Sequence, residues 1–431
     1  MNIKQQSNSS TGDLQRLKST RIKQLYTDVA TNHSEGLTSF WQQVEQEGTP
    51  LIERDPFNPL LTLCTFLWRG KSQIRTVRVH LLYRTTLLNE YEMVRLAGTD
   101  LWYTTIQLPS QGRYAYTLLV DPPPMNQPNM DSTPEDKQRY FASSQADTLN
   151  PRRCFNEQGS QYEFMSLLEL PGAPIQPWTE KRPTVPRGNL ERHSFHSKTL
   201  QDERFISIYT PSGYSRKERP YGLLLVFDEQ WYLSRIPTHT ILDNLLADEK
   251  IPPLVAVIIG NGPGDARNRQ LACNPLLADF LAKELIPWVQ EQYNVTQEPH
   301  RTIVAGASYG GVAASYVALQ YPGIFGNVLS QSGSYWWQPP NKQGLNYVAS
   351  LFAQRPQLAL RFYLDAGSGE IDLTGNGRSI LNTTRFLRDV LLAKGNEVHY
   401  QEFIGGHDFL SWRGTLADGL IRLTAPSLKR Q

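Results

Sequence analysis

The 431-residue chain carries 43 lysines and arginines against 41 aspartates and glutamates, a net charge of +2, with 39% hydrophobic and 19% charged residues. That balance excludes a disordered chain, which combines low hydrophobicity with high net charge, and it shows none of the basic excess of a nucleic-acid-binding protein. The length sets an expectation of two or three domains.

Three cysteines, Cys64, Cys154 and Cys273, lie far apart. Their odd number and spacing fit neither a disulfide framework, a zinc site nor a redox pair, so reduced, buried thiols are expected. The N-terminus, MNIKQQSNSSTGDLQRLKSTRIKQL, has no apolar core of a signal peptide. No run of roughly 18 apolar residues suggests a membrane span. The expected location is the cytoplasm, without membrane insertion.

The first twelve or so residues read as disordered, and residues 14–48 as helical, completing an N-terminal segment over 1–50. Residues 51–165 read as a small antiparallel β-sandwich, because LLTLCTFLWRG, TVRVHLLYR, EMVRLAGTDLWYTTIQL and RYAYTLLVD alternate apolar with polar residues. Within it, residues 122–160 are rich in Pro, Asn, Ser and Asp and are expected to be loop. A Pro-rich linker is expected over 166–190.

From 191 to 431 the rhythm becomes strand–helix–strand. Strands are expected at Phe205–Tyr209, Gly222–Phe227, Leu254–Gly260, Thr302–Ala305, Asn327–Ser330, Phe362–Ala366 and Val398–Phe403, with amphipathic segments between several of them. That alternation implies an α/β domain built on a largely parallel sheet covered on both faces.

The segment TIVAGASYGGVAASYVALQYP contains Gly306-Ala307-Ser308-Tyr309-Gly310, a G-x-S-x-G between an apolar strand and a small-residue helix. This is the setting of a nucleophile elbow, where a strained turn exposes a serine hydroxyl. A serine needs a base, and in such folds the chain order is Ser, then Asp or Glu, then His. Two histidines follow Ser308. His399 lies inside a strand, whereas His407 follows it on a Gly-Gly loop and is the expected base.

The acid is expected after the strand RFYLDAG. Asp365 lies within that strand. Glu370 is favoured, Asp372 is the alternative acid, and a Ser–His pair with solvated loop carboxylates is the third reading. For the oxyanion hole, one donor is the Tyr309 N–H and the second comes from Glu229–Trp231, centred on Gln230. The absence of an HGGG there argues against typical lipases.

Arg267 and Arg269, with Trp231, Trp336 and Trp337, fall on loops at the same sheet edge. Guanidinium forks and aromatic faces there favour an anionic aromatic ligand. The alternatives are a surface salt bridge for the arginines and packing under a loop for Trp336 and Trp337.

Taken together, FLWRG, AGTDLWY, DTLNP, LELPGAPIQPW, IYTPSGY, LLLVFDEQWY, RNRQL, FLAKELIPW, GASYGG, LSQSGSYWW and GGHDFLSWR resemble the enterochelin (ferric enterobactin) esterases over about residues 60–412. The resemblance implies an Ig-like β-sandwich followed by an α/β-hydrolase domain. It implies hydrolysis of the serine trilactone of a ferric triscatecholate siderophore inside the cell. It makes Ser308 the nucleophile and His407 the base, and has Arg267 contact catecholate.

Gln270 departs from the glutamate of that pattern, and DEQ replaces a common glycine after Phe227. No resident cofactor or metal is expected, since iron would arrive with a substrate of charge about −3. No obligatory protein partner is expected. Two other readings are a feruloyl, acetyl or thioester esterase of the same fold, and a non-catalytic binding protein on that scaffold.

Overall fold

The computed structural model describes residues 18–31, 33–70, 73–83, 90–123, 133–155, 163–340, 346–372 and 377–426. The disordered tail expected over the first twelve residues lies outside them. The chain divides into two compact units, Met1–Pro174 and Ile175–Gln431.

The first unit opens with helices α1 (Thr20–Thr31) and α2 (His33–Glu47). Their apolar faces, including Ile22, Leu25, Trp41 and Val44, pack on Leu51, Leu67 and Leu101. The strands are β1 (Leu51–Arg54), β2 (Leu61–Arg69), β3 (Val77–Leu81), β4 (Glu90–Glu92), β5 (Val94–Arg95), β6 (Leu101–Pro109), β7 (Arg113–Val120), β8 (Ser144–Gln145) and β9 (Ser166–Glu169). They form two antiparallel sheets, β1-β2-β6-β5 and β4-β3-β7-β8 with β9 on β7. Phe66 and Trp102 from one sheet share a core with Val79, Tyr114 and Tyr116 from the other.

The structure departs from two expectations in this unit. The stretch 122–160 is not all loop, because α3 (Pro134–Phe141) lies in it. Thr133 caps that helix, its hydroxyl accepting the Asp136 N–H at 3.1 Å, and Glu135 and Asp136 sit in the electropositive first turn. Residues 166–169 are not linker, since Leu168 is buried and pairs with Tyr114. The DTLNP motif also has a structural explanation. Buried Asp147 accepts hydrogen bonds from Tyr116 at 2.6 Å and Thr49 at 2.8 Å, and Asn150 reaches the Tyr116 oxygen at 2.9 Å.

The second unit holds β10 (Asn189–Ser197), β11 (Asp202–Thr210), β12 (Gly222–Phe227), β13 (Leu254–Ile259), β14 (Thr302–Ala307), β15 (Asn327–Gln331), β16 (Arg361–Gly367) and β17 (Glu397–Phe403). They form one sheet in the order β10-β11-β13-β12-β14-β15-β16-β17. Strand β11 runs antiparallel to both its neighbours, β10 and β13, and every other adjacent pair is parallel. Strand β10 was not expected from the sequence. It is an edge strand whose NLERHSFHS is mostly exposed, so it lacks the apolar run of its neighbours.

Alternate residues of the inner strands face opposite cores. Leu223, Leu225 and Phe227 of β12 join one, and Leu224 and Val226 join the other. The helices are α4 (Glu229–Ser234), α5 (Thr238–Ala247), α6 (Ala266–Leu271), α7 (Pro275–Phe280), α8 (Ile286–Gln292), α9 (Tyr309–Gln320), α10 (Tyr347–Gln354), α11 (Ile380–Ala393) and α12 (Phe409–Thr424). Residues of α6 to α11 cover the first face, and residues of α4, α5 and α12 cover the second.

The Pro-rich segment after Pro174 is a strap rather than a free linker. Gln176 bonds the Leu410 carbonyl at 2.7 Å, and Trp178 and Arg182 both bond Asp248 at 2.8 Å. Among the described residues, no helix is long and apolar enough to cross a membrane. The three cysteines are unbridged and buried, and burial pushes the Cys64 thiol up to about 12.

Candidate active site

Strand β14 ends at Ala307 and α9 begins at Tyr309, so Ser308 makes the whole turn. Its backbone angles are φ 58° and ψ −120°, a strained combination for a residue with a Cβ. Two glycines at the turn, Gly306 and Gly311, are required by contact. A Cβ on Gly306 would lie 2.6 Å from the Gly310 backbone, and one on Gly311 would lie 2.4 Å from Ser330 Oγ. The small residues of GGVAAS let α9 lie close on the sheet, with Gly310–Leu319 buried.

The loops after β16 and β17 bring Glu370 and His407 together. His407 Nδ1 lies 2.5 Å from Glu370 Oε1, and the other carboxylate oxygen accepts the Gly367 N–H at 2.6 Å. Glu370 is fully buried. An Nδ1–H held by this carboxylate leaves Nε2 as the basic nitrogen. The Trp412 ring meets the His407 ring edge-on at 4.8 Å and limits its rotation. Asp372 instead accepts the Gly377 N–H at 2.6 Å, within its own loop. His399 bonds Glu397 at 3.0 Å on β17, as an ordinary strand residue.

Ser308 Oγ is hydrogen-bonded to Ser334 Oγ at 3.1 Å. The turn is further fixed by Gln331, which the sequence reading missed. The Gln331 carbonyl accepts the Ser308 N–H at 2.9 Å, and its side chain bonds Tyr232, the Trp412 carbonyl and Thr415.

Two more buried carboxyls adjoin this group. Asp365 accepts the Ser332 N–H at 2.9 Å, and burial, reinforced by Glu370, pushes it up to about 8. Asp408 caps α12 through the Ser411 N–H, and burial pushes it up to about 7.

Of the two residues expected to donate to an oxyanion, Tyr309 is the first of α9 and Gln230 the second of α4. Strands β12 and β14 are adjacent, so the two helix N-termini start side by side at one sheet edge. Asp228 precedes α4 at φ 65°. Its carboxylate is buried, and a Cβ on Gly310 would lie 3.5 Å from it.

The candidate ligand-binding residues separate. Arg267 grips Asp228 with both guanidinium arms, at 2.6 and 2.8 Å, and lies 4.5 Å over the Trp231 ring. Its charge is therefore matched within the protein. Arg269 pairs with Asp265 on an exposed helix face, which is the surface salt bridge raised as its alternative. Trp336 stands edge-on to Tyr309 at 5.9 Å, beside Ser308. Trp337 turns to Tyr347 at 6.0 Å and packs on the core, away from Trp336.

Two arginines escaped the sequence reading. Arg378 lies 5.2 Å over Trp336, and Arg235 lies 4.7 Å over Phe409. Phe409 in turn contacts Trp231 at 5.7 Å and Trp412 at 5.2 Å. Arg378 and Arg267 both oppose the upward shift that burial gives the Tyr309 phenol, which places them near it. The one signal available was their position on connections at the C-terminal edge of the sheet. Among the described residues, no group of three His, Cys, Asp or Glu side chains is arranged to hold a metal ion.

Residues 197–423 match the putative esterase family, and residues 63–179 match the enterochelin esterase N-terminal family. The iron(III) enterobactin esterase of Escherichia coli O6:H1 (strain CFT073) is 30% identical over 91% of this chain and 97% of its own length. That of Dickeya dadantii (strain 3937) is 30% identical over 89% and 92%. The crystal structure of the Shigella flexneri enterobactin esterase in the presence of enterobactin superposes with a TM-score of 0.70 at 29% identity, covering 89% of this chain and 97% of that one. This chain belongs to the enterochelin esterase family and is a carboxylic ester hydrolase.

Proposed function

We propose that this enzyme hydrolyses the trilactone esters of a ferric catecholate siderophore of the enterobactin type, in the cytoplasm. The observation that carries the substrate class is a pair of arginines, each laid over an aromatic ring. These are Arg235 on Phe409 and Arg378 on Trp336, with ring contacts reaching Tyr309 beside Ser308 and Trp412 against His407. Stacked guanidiniums and indoles suit flat, anionic catecholate rings. The relatives named above act, by name, on iron(III) enterobactin.

In this reading Ser308 Oγ attacks a lactone carbonyl carbon and its proton passes to His407 Nε2. Glu370 holds the ring and stabilises the imidazolium. The Tyr309 N–H and an N–H near Gln230 receive the oxyanion. Collapse expels the seryl alkoxide, which takes the proton from His407, and water then releases the acyl group by the reverse sequence. Opening the trilactone removes the preorganisation of the three catecholates and weakens their hold on iron. Iron enters as cargo of the substrate. The N-terminal unit is read as an Ig-like sandwich with a part in recognition.

The test is incubation of the protein and its Ser308→Ala variant with ferric enterobactin, with products separated by liquid chromatography and mass spectrometry. Linear trimer, dimer or monomer of dihydroxybenzoyl-serine is expected with the parent only. Hydrolysis of a simple aryl ester without these products would reject the substrate and keep the nucleophile.

A further inference from the structure

Ser334 makes two contacts with one residue, and that residue is Ser308. Its N–H donates to the Ser308 carbonyl at 3.0 Å, and its hydroxyl meets Ser308 Oγ at 3.1 Å. It is 2% exposed, so no solvent competes for that hydroxyl.

The loop that carries it is held from several sides. Ser332, at φ 46°, gives its N–H to Asp365 and accepts the Trp412 indole N–H at 2.9 Å. A Cβ on Gly333 would fall 2.4 Å from the Tyr335 ring, and the Tyr335 hydroxyl is bonded to Ser330 at 2.6 Å and Ser315 at 2.7 Å.

We infer that Ser334 is a further catalytic residue, whose hydroxyl donates to Ser308 Oγ while Ser308 surrenders its own proton to His407. The inference rests on Ser308 being the nucleophile. A hydroxyl has one proton to give and two lone pairs to accept with. When Ser308 points its proton at His407, its Oγ is available as acceptor and Ser334 is the donor in contact.

As the Ser308 O–H bond breaks and the O–C bond to the carbonyl forms, negative charge gathers on Oγ and the Ser334 hydrogen bond strengthens. In the acyl-enzyme that oxygen is an ester oxygen, a poorer acceptor, so the bond weakens. Its contribution is therefore larger in the transition state than in either flanking state. Ser334 keeps its proton throughout.

The experiment uses full-length protein with p-nitrophenyl butyrate and a fluorophosphonate that labels the nucleophile, so that no siderophore is involved. Ser334→Ala is expected to lower kcat by about tenfold, the worth of one net hydrogen bond, and to slow phosphonylation in proportion, with KM within about twofold. Ser334→Thr, which keeps the hydroxyl, is expected to recover most of the rate.

Ser334→Ala at or above the parent rate would overturn the inference, because the contact would then hold Ser308 away from the base. So would Ser334→Thr no better than Ser334→Ala, or a KM that rises in step with the fall in kcat. Full activity in Ser308→Ala would instead reject the nucleophile itself.

Discussion

Glu370 reaches His407 because it lies three residues beyond the end of β16, where the chain turns back and Gly367 donates to its second oxygen. The carboxylate is buried and orients Nδ1–H, so its removal should harm the tautomer more than the fold. Glu370→Gln is expected to lower kcat by at least about a hundredfold with little change in KM. Asp372→Asn, whose side chain serves its own loop, should stay near the parent. Steady-state kinetics on an aryl ester measure both, and the reverse ranking would exchange their roles.

Asp365 carries a different prediction. Its folded pKa of about 8 lies above the unfolded value, so the native state holds a proton that the unfolded chain gives up. The stabilisation by that proton is complete below about pH 4 and is lost as pH rises towards 8, with a slope of up to about 1.4 kcal/mol per unit. Asp365→Asn should therefore raise the melting temperature more at pH 8 than at pH 5. An equal shift at both would refute this.

At the scale of elements, the connection from β12 to α4 shows how an ion pair can shape a site. Arg267, on α6, bonds Asp228 at a left-handed backbone position and covers Trp231 three residues on. This clamp fixes the start of α4, where the second oxyanion donor is proposed. Arg267→Met is expected to cut kcat by roughly tenfold or more while KM rises less, because Asp228 is left buried without a counter-charge, with only the Asn261 amide still donating to it at 2.9 Å. Arg267→Lys should not restore it, since an ammonium cannot make the two-armed bond. A pure KM effect would instead mark Arg267 as a substrate contact, the role the family resemblance suggests.

At the scale of the whole molecule, the second unit owns both cores that position the site. Residues 175–431 alone are expected to fold and to hydrolyse p-nitrophenyl butyrate at a rate near that of the full chain. They are expected to lose most kcat/KM on the ferric siderophore. Equal efficiency on both substrates would remove the N-terminal unit from recognition.

Much of this was legible in the residues. Apolar runs at strand length, spaced by amphipathic helices, announce a parallel sheet, because a strand buried on both faces must be apolar throughout. The elbow was legible because Gly306, Ser308 and Gly310 are spaced as a strand-to-helix turn requires, and His407 because few histidines follow Ser308. The polar edge strand β10 and helix α3 were not, since neither carries the apolar pattern that reports burial.

Tertiary structure alone decided which side chains meet. Trp336 and Trp337 are neighbours in sequence, yet one faces Tyr309 and the other the core. Arg267 and Arg269 lie two apart on one short helix, yet one is clamped to Asp228 and the other pairs with Asp265 at the surface. Successive positions on an irregular loop or helix point in different directions. Arg269 finds its partner one helical turn away, whereas the partners of Trp336 and Arg267 come from segments tens of residues away, and no local pattern encodes that distance.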